Sequence, residues 1–212
     1  MKTENLQEWI GKTEERDDLL TSFPASAMAA TLNHEELDYS ENKNLPPLWH
    51  WLYFLPIFKL SEAGYDGHAA LGDFLPPVQL PRRMWAGSRI DFLSPLKVGH
   101  EYKKKSKIKN VTAKSGRSGD LVFVTVSHEV SSGLTVCISE EHDIVYREKA
   151  TNSSGATKSI EAPKDFDFSF DINPDPVLLF RYSALTFNGH RIHYDYPFCT
   201  DTEGYNGLVV HG

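Results

Sequence analysis

The sequence predicts an α+β protein in which an antiparallel sheet wraps a buried helix. Three observations carry that reading. Residues 88–147 hold consecutive β-branched runs separated only by short turn signals, the pattern of an antiparallel meander. Residues 48–55, Leu-Trp-His-Trp-Leu-Tyr-Phe-Leu, form a bulky apolar run between Pro46-Pro47 and Pro56, which suits a short buried helix. Beyond a serine-rich stretch, strand-like alternation at 166–171 passes into a helical run at 175–185.

Composition bounds the rest. A chain of 212 residues makes one large domain or two small ones. Its 40% hydrophobic and 24% charged content is ordinary for a globular protein. A net charge of -7 argues against broad nucleic-acid binding, because phosphate contact needs a basic surface. Cys137 and Cys199 fit neither a disulfide framework nor a zinc spacing, which agrees with a reducing compartment. Residues 1–11 lack the apolar core of a secretory signal. The run at 48–55 is far shorter than the roughly 20 residues that cross a bilayer. The expectation is a soluble protein without a membrane or nucleic-acid partner, cytoplasmic, or mitochondrial if eukaryotic.

Taken in order, residues 1–40 look helical, with one helix over 4–10 stopping at Gly11 and an alanine-rich one over 26–32. The apolar run at 48–55 is the helix that the sheet wraps, with His50 as a core histidine holding one hydrogen bond. Residues 64–87 form a loop zone punctuated by Gly64, Gly67, Gly72, Pro76, Pro77, Pro81 and Gly87. It carries Arg82, Arg83 and Trp85, which either line a substrate tunnel or pack over the core. Strands follow at 89–93, 101–111, 121–128 and 134–146, with turns at 114–119 and 131–133. The lysines of 103–109 fall on both faces of their strand and read as the guard of an exposed edge. Residues 151–164 read as a flexible linker between a domain over 1–150 and another that starts at 165. There, 166–171 is a strand, Asn173 an N-cap, Pro174 the first helical position, and 175–185 a helix.

The stretch 180–212 concentrates the chemistry. It holds Asn188, His190, His193 and His211 among aromatic residues and glycines. Unperturbed imidazole titrates near 6.5 and suits proton transfer at neutral pH. Asparagine cannot take a proton there and serves only to orient. His190, His193 and Cys199 lack a matching second pair, so no metal site is expected.

Two runs carry a family resemblance: Arg181-Tyr-Ser-Ala-Leu-Thr-Phe-Asn-Gly-His-Arg-Ile-His-Tyr-Asp195 and Glu203-Gly-Tyr-Asn-Gly-Leu-Val-Val-His-Gly212. Both resemble the signature of the MaoC-like (R)-specific enoyl-CoA hydratases, which have the hot-dog fold. The likeness is to the double hot-dog branch of mesaconyl-C4-CoA hydratases and hydroxyacyl-thioester dehydratases. Pro46 to Pro56, Phe74-Leu-Pro-Pro, Pro81-Arg-Arg-Met-Trp85, Gly116-Arg-Ser-Gly and Asp143-Ile-Val-Tyr-Arg147 are similar to its non-catalytic first unit. The broad family motif opens on an aspartate and closes on a histidine five residues later. Here those positions hold Asn188 and His193, and His190 stands where the family has asparagine.

The resemblance implies hydration or dehydration across the C2–C3 double bond of an acyl-CoA or acyl-carrier-protein thioester, with no cofactor. His193 is then the acid–base group, with His190 and Asn188 beside it. Gly212 offers the backbone oxyanion donor at the start of a central helix. Tyr194, Tyr205, His211 and Arg181 contact substrate, and Arg181, His190 and Arg191 suit a dicarboxylic acyl chain. The second hot dog stops where its helix should begin, so residues 165–212 are expected to need a completing hot-dog chain or a homodimer, and residues 1–212 to be weakly active alone. A non-catalytic assembly module and an acyl thioesterase are the alternatives.

Overall fold

The computed structural model describes residues 4–35, 38–116, 119–148, 161 and 164–212. One antiparallel sheet is built from β1 (Thr13–Leu19), β2 (Arg82–Phe92), β3 (Glu101–Gly116), β4 (Gly119–Ser132) and β5 (Thr135–Arg147). Their spatial order is β1-β3-β4-β5-β2. The three central strands form the meander expected from the sequence. The β4–β5 hairpin pairs Ser132 with Thr135, and Gly133 supplies the positive φ, 57°, that such a tight turn needs.

The wrapped helix is α1 (Ser22–Thr31), not the expected run at 48–55. There, only Trp49–Leu52 make a single 3-10 turn. Leu48 and Phe54 bracket it in the left-handed region, at φ 71° and 55°, a conformation no helix of L-residues continues through. Small side chains let α1 lie close to the sheet. Ala25, Met28 and Ala29 share one core with Leu52, Tyr53, Tyr102, Val130, Cys137 and Ile138. A second core gathers Val78, Leu80, Ile108, Val111, Val122, Val124, Val126 and Tyr146. His50 is the expected core histidine, 3% exposed, with Nε2 3.3 Å from Glu140.

Further expectations give way. Residues 13–19 are a strand rather than helix, because their acids face the lysines of β3: Glu15 lies opposite Lys105 and Asp17 opposite Lys103. The Lys103 ammonium is 3.2 Å from Glu15 and 3.6 Å from Asp17. The lysine strand is therefore interior to the sheet, and acid-rich β1 is the edge. Arg82, Arg83 and Trp85 stand on β2 rather than in a loop, since β2 starts at Arg82 to pair with Arg147 of β5.

Residues 166–171 form no strand, for no described strand pairs with them; Phe166, Phe168 and Phe170 stay exposed. α2 (Pro176–Leu185) begins two residues later than expected. Its cap is Asp175, whose side chain accepts from the Leu178 N–H at 2.8 Å, with Pro176 at the first position. The expected linker at 151–164 falls almost wholly outside the described residues.

Candidate active site

The segment after α2 folds back onto the first part of the chain. Tyr182 and Leu185 pack on the α1 core, and Ile192, Phe198 and Cys199 form a small core with Tyr205, Leu208 and Val209. Arg82 clamps this segment: its Nε lies 2.6 Å from the Glu203 carboxylate, and its Nη2 donates to the Glu203 carbonyl at 2.6 Å. The Arg191 N–H donates to the Asp66 carbonyl at 2.9 Å, and its Nη1 donates to the Tyr65 carbonyl at 3.0 Å. Between those bonds Gly67 and Gly189 meet backbone to backbone. A Cβ on either residue would overlap the other's carbonyl oxygen, so only glycine fits both places.

This docking lines up four imidazoles. His68 lies against His190 with ring centres 4.2 Å apart. His190 meets His193 edge to face at 5.5 Å. His193 stacks on His211 at 3.8 Å and an 18° tilt. His211 in turn lies 4.6 Å from the Tyr182 ring, and its Nε2 is 2.8 Å from the Ser183 hydroxyl.

Bonds made by His193 and His68 fix their protonation. His193 is 6% exposed, and its Nδ1 lies 2.7 Å from the Val209 carbonyl oxygen. A carbonyl only accepts, so Nδ1 carries the proton and Nε2 keeps its lone pair. Nε2 has no hydrogen-bond partner among the described residues. His68 Nδ1 donates to the Asp66 carboxylate at 2.8 Å in the same way.

Burial pushes every member of the row toward the neutral form. Desolvation lowers His193, offset in part by its bond to Val209, and takes His211 to about 3. It also takes His190 to about 3, helped by the neighbouring His68. Asp66 is held at about 2: burial raises it, and the hydrogen bonds and charge of His68 outweigh that.

The remaining expected residues divide. Asn188 orients the loop, its Oδ1 accepting the His190 N–H at 3.0 Å. Tyr205 lines a small cleft with Tyr65, Asp66, Arg82, Arg83, Met84, His190 and Glu203. His193 is not among the residues lining that cleft. Tyr194 is exposed and donates to the Gly189 carbonyl at 2.8 Å. Arg181 is exposed on α2 and makes no hydrogen bond or ion pair to the row. Gly212 packs against the Trp85 indole, where a Cβ would come within 2.6 Å of the ring.

Asp66 and His68, which nothing in the sequence marks as site residues, sit in the glycine-rich loop at 64–87. The nearest to a signal is Gly67, a glycine held between two titratable residues. Asp66, His68 and His190 offer ligand atoms within 4.8 Å of one another, a spacing that fits a metal ion. Two features oppose a cation there: the Arg83 charge acts on the same groups, and the Asp66–His68 bond already occupies one donor from each.

A sheet wrapped on one helix, with buried neutral imidazoles docked beside it, defines a hot-dog protein equipped for acid–base chemistry. The model of the family "Hydroxyacyl-thioester dehydratase type 2" matches residues 48–212, and the chain belongs to that family. It is a lyase of the hydratase and dehydratase class. The chain is 47% identical to the mesaconyl-C(4)-CoA hydratase of Chloroflexus aurantiacus, over all of this chain and 76% of that protein. It is 28% identical to the mitochondrial hydroxyacyl-thioester dehydratase type 2 of Schizosaccharomyces pombe, over 92% and 74% of the two chains. Among solved structures, HtdX of Mycobacterium tuberculosis shares the fold at a TM-score of 0.60 and 18% identity, over 95% of this chain and 71% of that one. A MaoC-like dehydratase of Phytophthora capsici does so at 0.60 and 16%, over 100% and 72%.

Proposed function

We propose that the protein adds water across, or removes it to form, the C2–C3 double bond of an acyl-CoA or acyl-carrier-protein thioester, with His193 as the acid–base group. The observation that carries this reading is the His193 tautomer. Its Nδ1 proton is committed to Val209, which leaves a bare Nε2 in a buried row of neutral imidazoles. In hydration, the water oxygen bonds to C3 and its proton passes to Nε2. The double-bond electrons move onto the thioester oxygen, then return as C2 takes the proton from Nε2. Asn188 and His190 hold the water. The Gly212 N–H follows His211 in the row and is the donor to the thioester oxygen. His211, Tyr205, Tyr194 and Arg181 form the surrounding contacts.

In this reading no cofactor takes part, and the thioester is the only small-molecule partner. Residues 1–150 are the non-catalytic hot dog, 151–164 a linker, and 165–212 the opening of the catalytic one. Two features support the division: every strand of the sheet lies before residue 148, and the docked segment supplies three of the four imidazoles. A second copy of the chain covers the site. The relative at 47% identity favours a dicarboxylic acyl group such as mesaconyl. The setting is the cytoplasm, or the mitochondrion in a eukaryote; no helix among the described residues is long and apolar enough to cross a membrane.

The test is incubation of the full-length protein with crotonyl-CoA and mesaconyl-CoA. Loss of the enoyl absorbance supports hydration. Release of free thiol identifies a thioesterase, and neither signal leaves an assembly module.

A further inference from the structure

Among the described residues the imidazole row has one negatively charged neighbour, Asp66, and it comes from the other half of the chain. Moving a proton onto a buried imidazole creates a cation where water is scarce, which is costly without a compensating charge. The site segment offers no carboxylate for that purpose. Asp195 is bonded to Arg191 at 2.7 Å and to the Phe198 N–H at 3.1 Å. Glu203 is bonded to Arg82, and Asp201 is exposed and bonded to Thr200. Asn188 carries no charge. Asp66 remains, with one carboxylate oxygen on the His68 N–H at 3.1 Å and the other on His68 Nδ1 at 2.8 Å.

We propose that Asp66 and His68 are positioning residues of the hydration site. Asp66 fixes the His68 ring, His68 seats His190, and the carboxylate offsets the positive charge that the row carries when it holds the proton from water. The inference rests on the hydration chemistry proposed above. It also explains the close crossing of Gly67 and Gly189, because that crossing is what brings the Asp66–His68 pair to His190. The groups facing His190 are His68, Asp66, His193 and Arg83. Of these only Asp66 brings negative charge, so its removal makes the row harder to protonate.

The experiment compares the full-length protein with Asp66→Asn, Asp66→Glu and His68→Asn. Asp66→Asn is expected to lower kcat for enoyl-CoA hydration about 10- to 100-fold, with KM changed less than about twofold. It moves the acidic limb of the pH profile to lower pH. Asp66→Glu restores most of the rate. A kcat loss with an unmoved limb, or no kcat loss at all, overturns the assignment. So does activity that vanishes on treatment with a chelator and returns with zinc, since the cluster is then a metal site. Long-range 1H–15N spectra read the imidazoles whether or not the protein turns over thioesters. Asp66→Asn and His68→Asn must each shift the ring nitrogens of His190; unshifted His190 signals in both folded variants also overturn the proposal. A wild-type protein that hydrates no enoyl thioester, yet shows these shifts, removes the hydration reading and leaves the coupling standing.

Discussion

His193 gives its Nδ1 proton to the carbonyl of Val209 across 2.7 Å, and its other nitrogen is thereby left basic. Replacing His193 with alanine or glutamine is expected to cut hydration by about 10²- to 10⁴-fold, the usual contribution of a positioned acid–base group. The thermal unfolding midpoint of the glutamine variant should stay near that of the parent, since glutamine can still donate to Val209. Steady-state rates on crotonyl-CoA, beside a melting curve, check both halves.

The same geometry sets the pH response. Desolvation lowers His193, His190 and His211 below the ordinary imidazole value of 6.5. Protonation destroys a base, so a lowered pKa moves the loss of activity to lower pH. The rate of hydration is expected to persist as pH falls through 6.5, where a solvated histidine would already be half protonated. A profile of kcat/KM against pH with its acidic limb at or above 6.5 would contradict this.

Gly67→Ala tests the crossing of the two loops. Gly67 has φ +88°, and its missing side chain is what lets the Gly189 carbonyl approach. Alanine there is expected to cost about 1–3 kcal/mol and to lower hydration sharply by displacing His190. Circular dichroism should report an unchanged sheet, because no strand of that sheet touches the crossing residues in sequence. Wild-type activity in a folded Gly67→Ala protein would show that the loops tolerate separation.

Glu140 links stability to pH in the first half of the molecule. It is 4% exposed and accepts from Trp51 and Ser88 with His50 beside it. Burial raises its pKa, yet the His50 bond and the nearby His128 bring it down from 4.5 to about 2. A lowered carboxylate pKa means stability that is present above 4.5 and is lost as pH falls toward 2. Desolvation also lowers His128 from 6.5 to about 3, which adds a loss of stability as pH falls below 6.5. Glu140→Gln is expected to cost roughly 3 kcal/mol at neutral pH and to flatten the acid side of the stability curve. Urea unfolding at several pH values measures both effects.

Arg82→Ala removes the clamp on the docked segment. Arg82 and Glu203 are 10% and 6% exposed, and losing one partner strands the other. The expected cost is roughly 3–5 kcal/mol, concentrated in residues 190–209 rather than in the sheet. Amide exchange should quicken around Ile192, Phe198 and Val209 and leave β4 protected.

The meander was legible because β-branched runs and short turns act locally, and so was the body of α2; its start was not, because Asn173-Pro174 and Asp175-Pro176 carry the same local signal. The identity of the wrapped helix was not legible either. The bulky run at 48–55 outweighed the small residues of 22–31, although packing against a sheet favours small side chains. β1 was hidden because its acids look like a solvated helix until the lysines of β3 are placed opposite them. In the site, His190, His193 and His211 announced themselves by clustering in sequence. Asp66 and His68 did not, because their partner lies more than a hundred positions away and only the folded loops bring them together.

That separation also fixes an order of assembly. Residues 66–68 emerge from the ribosome well before 190–193, and the sheet that carries their loop is complete by Arg147. Closing so long a loop is entropically slow, so the sheet forms first and the histidine row is the last feature to mature. Competence for turnover should lag behind the recovery of β-structure when the protein is refolded.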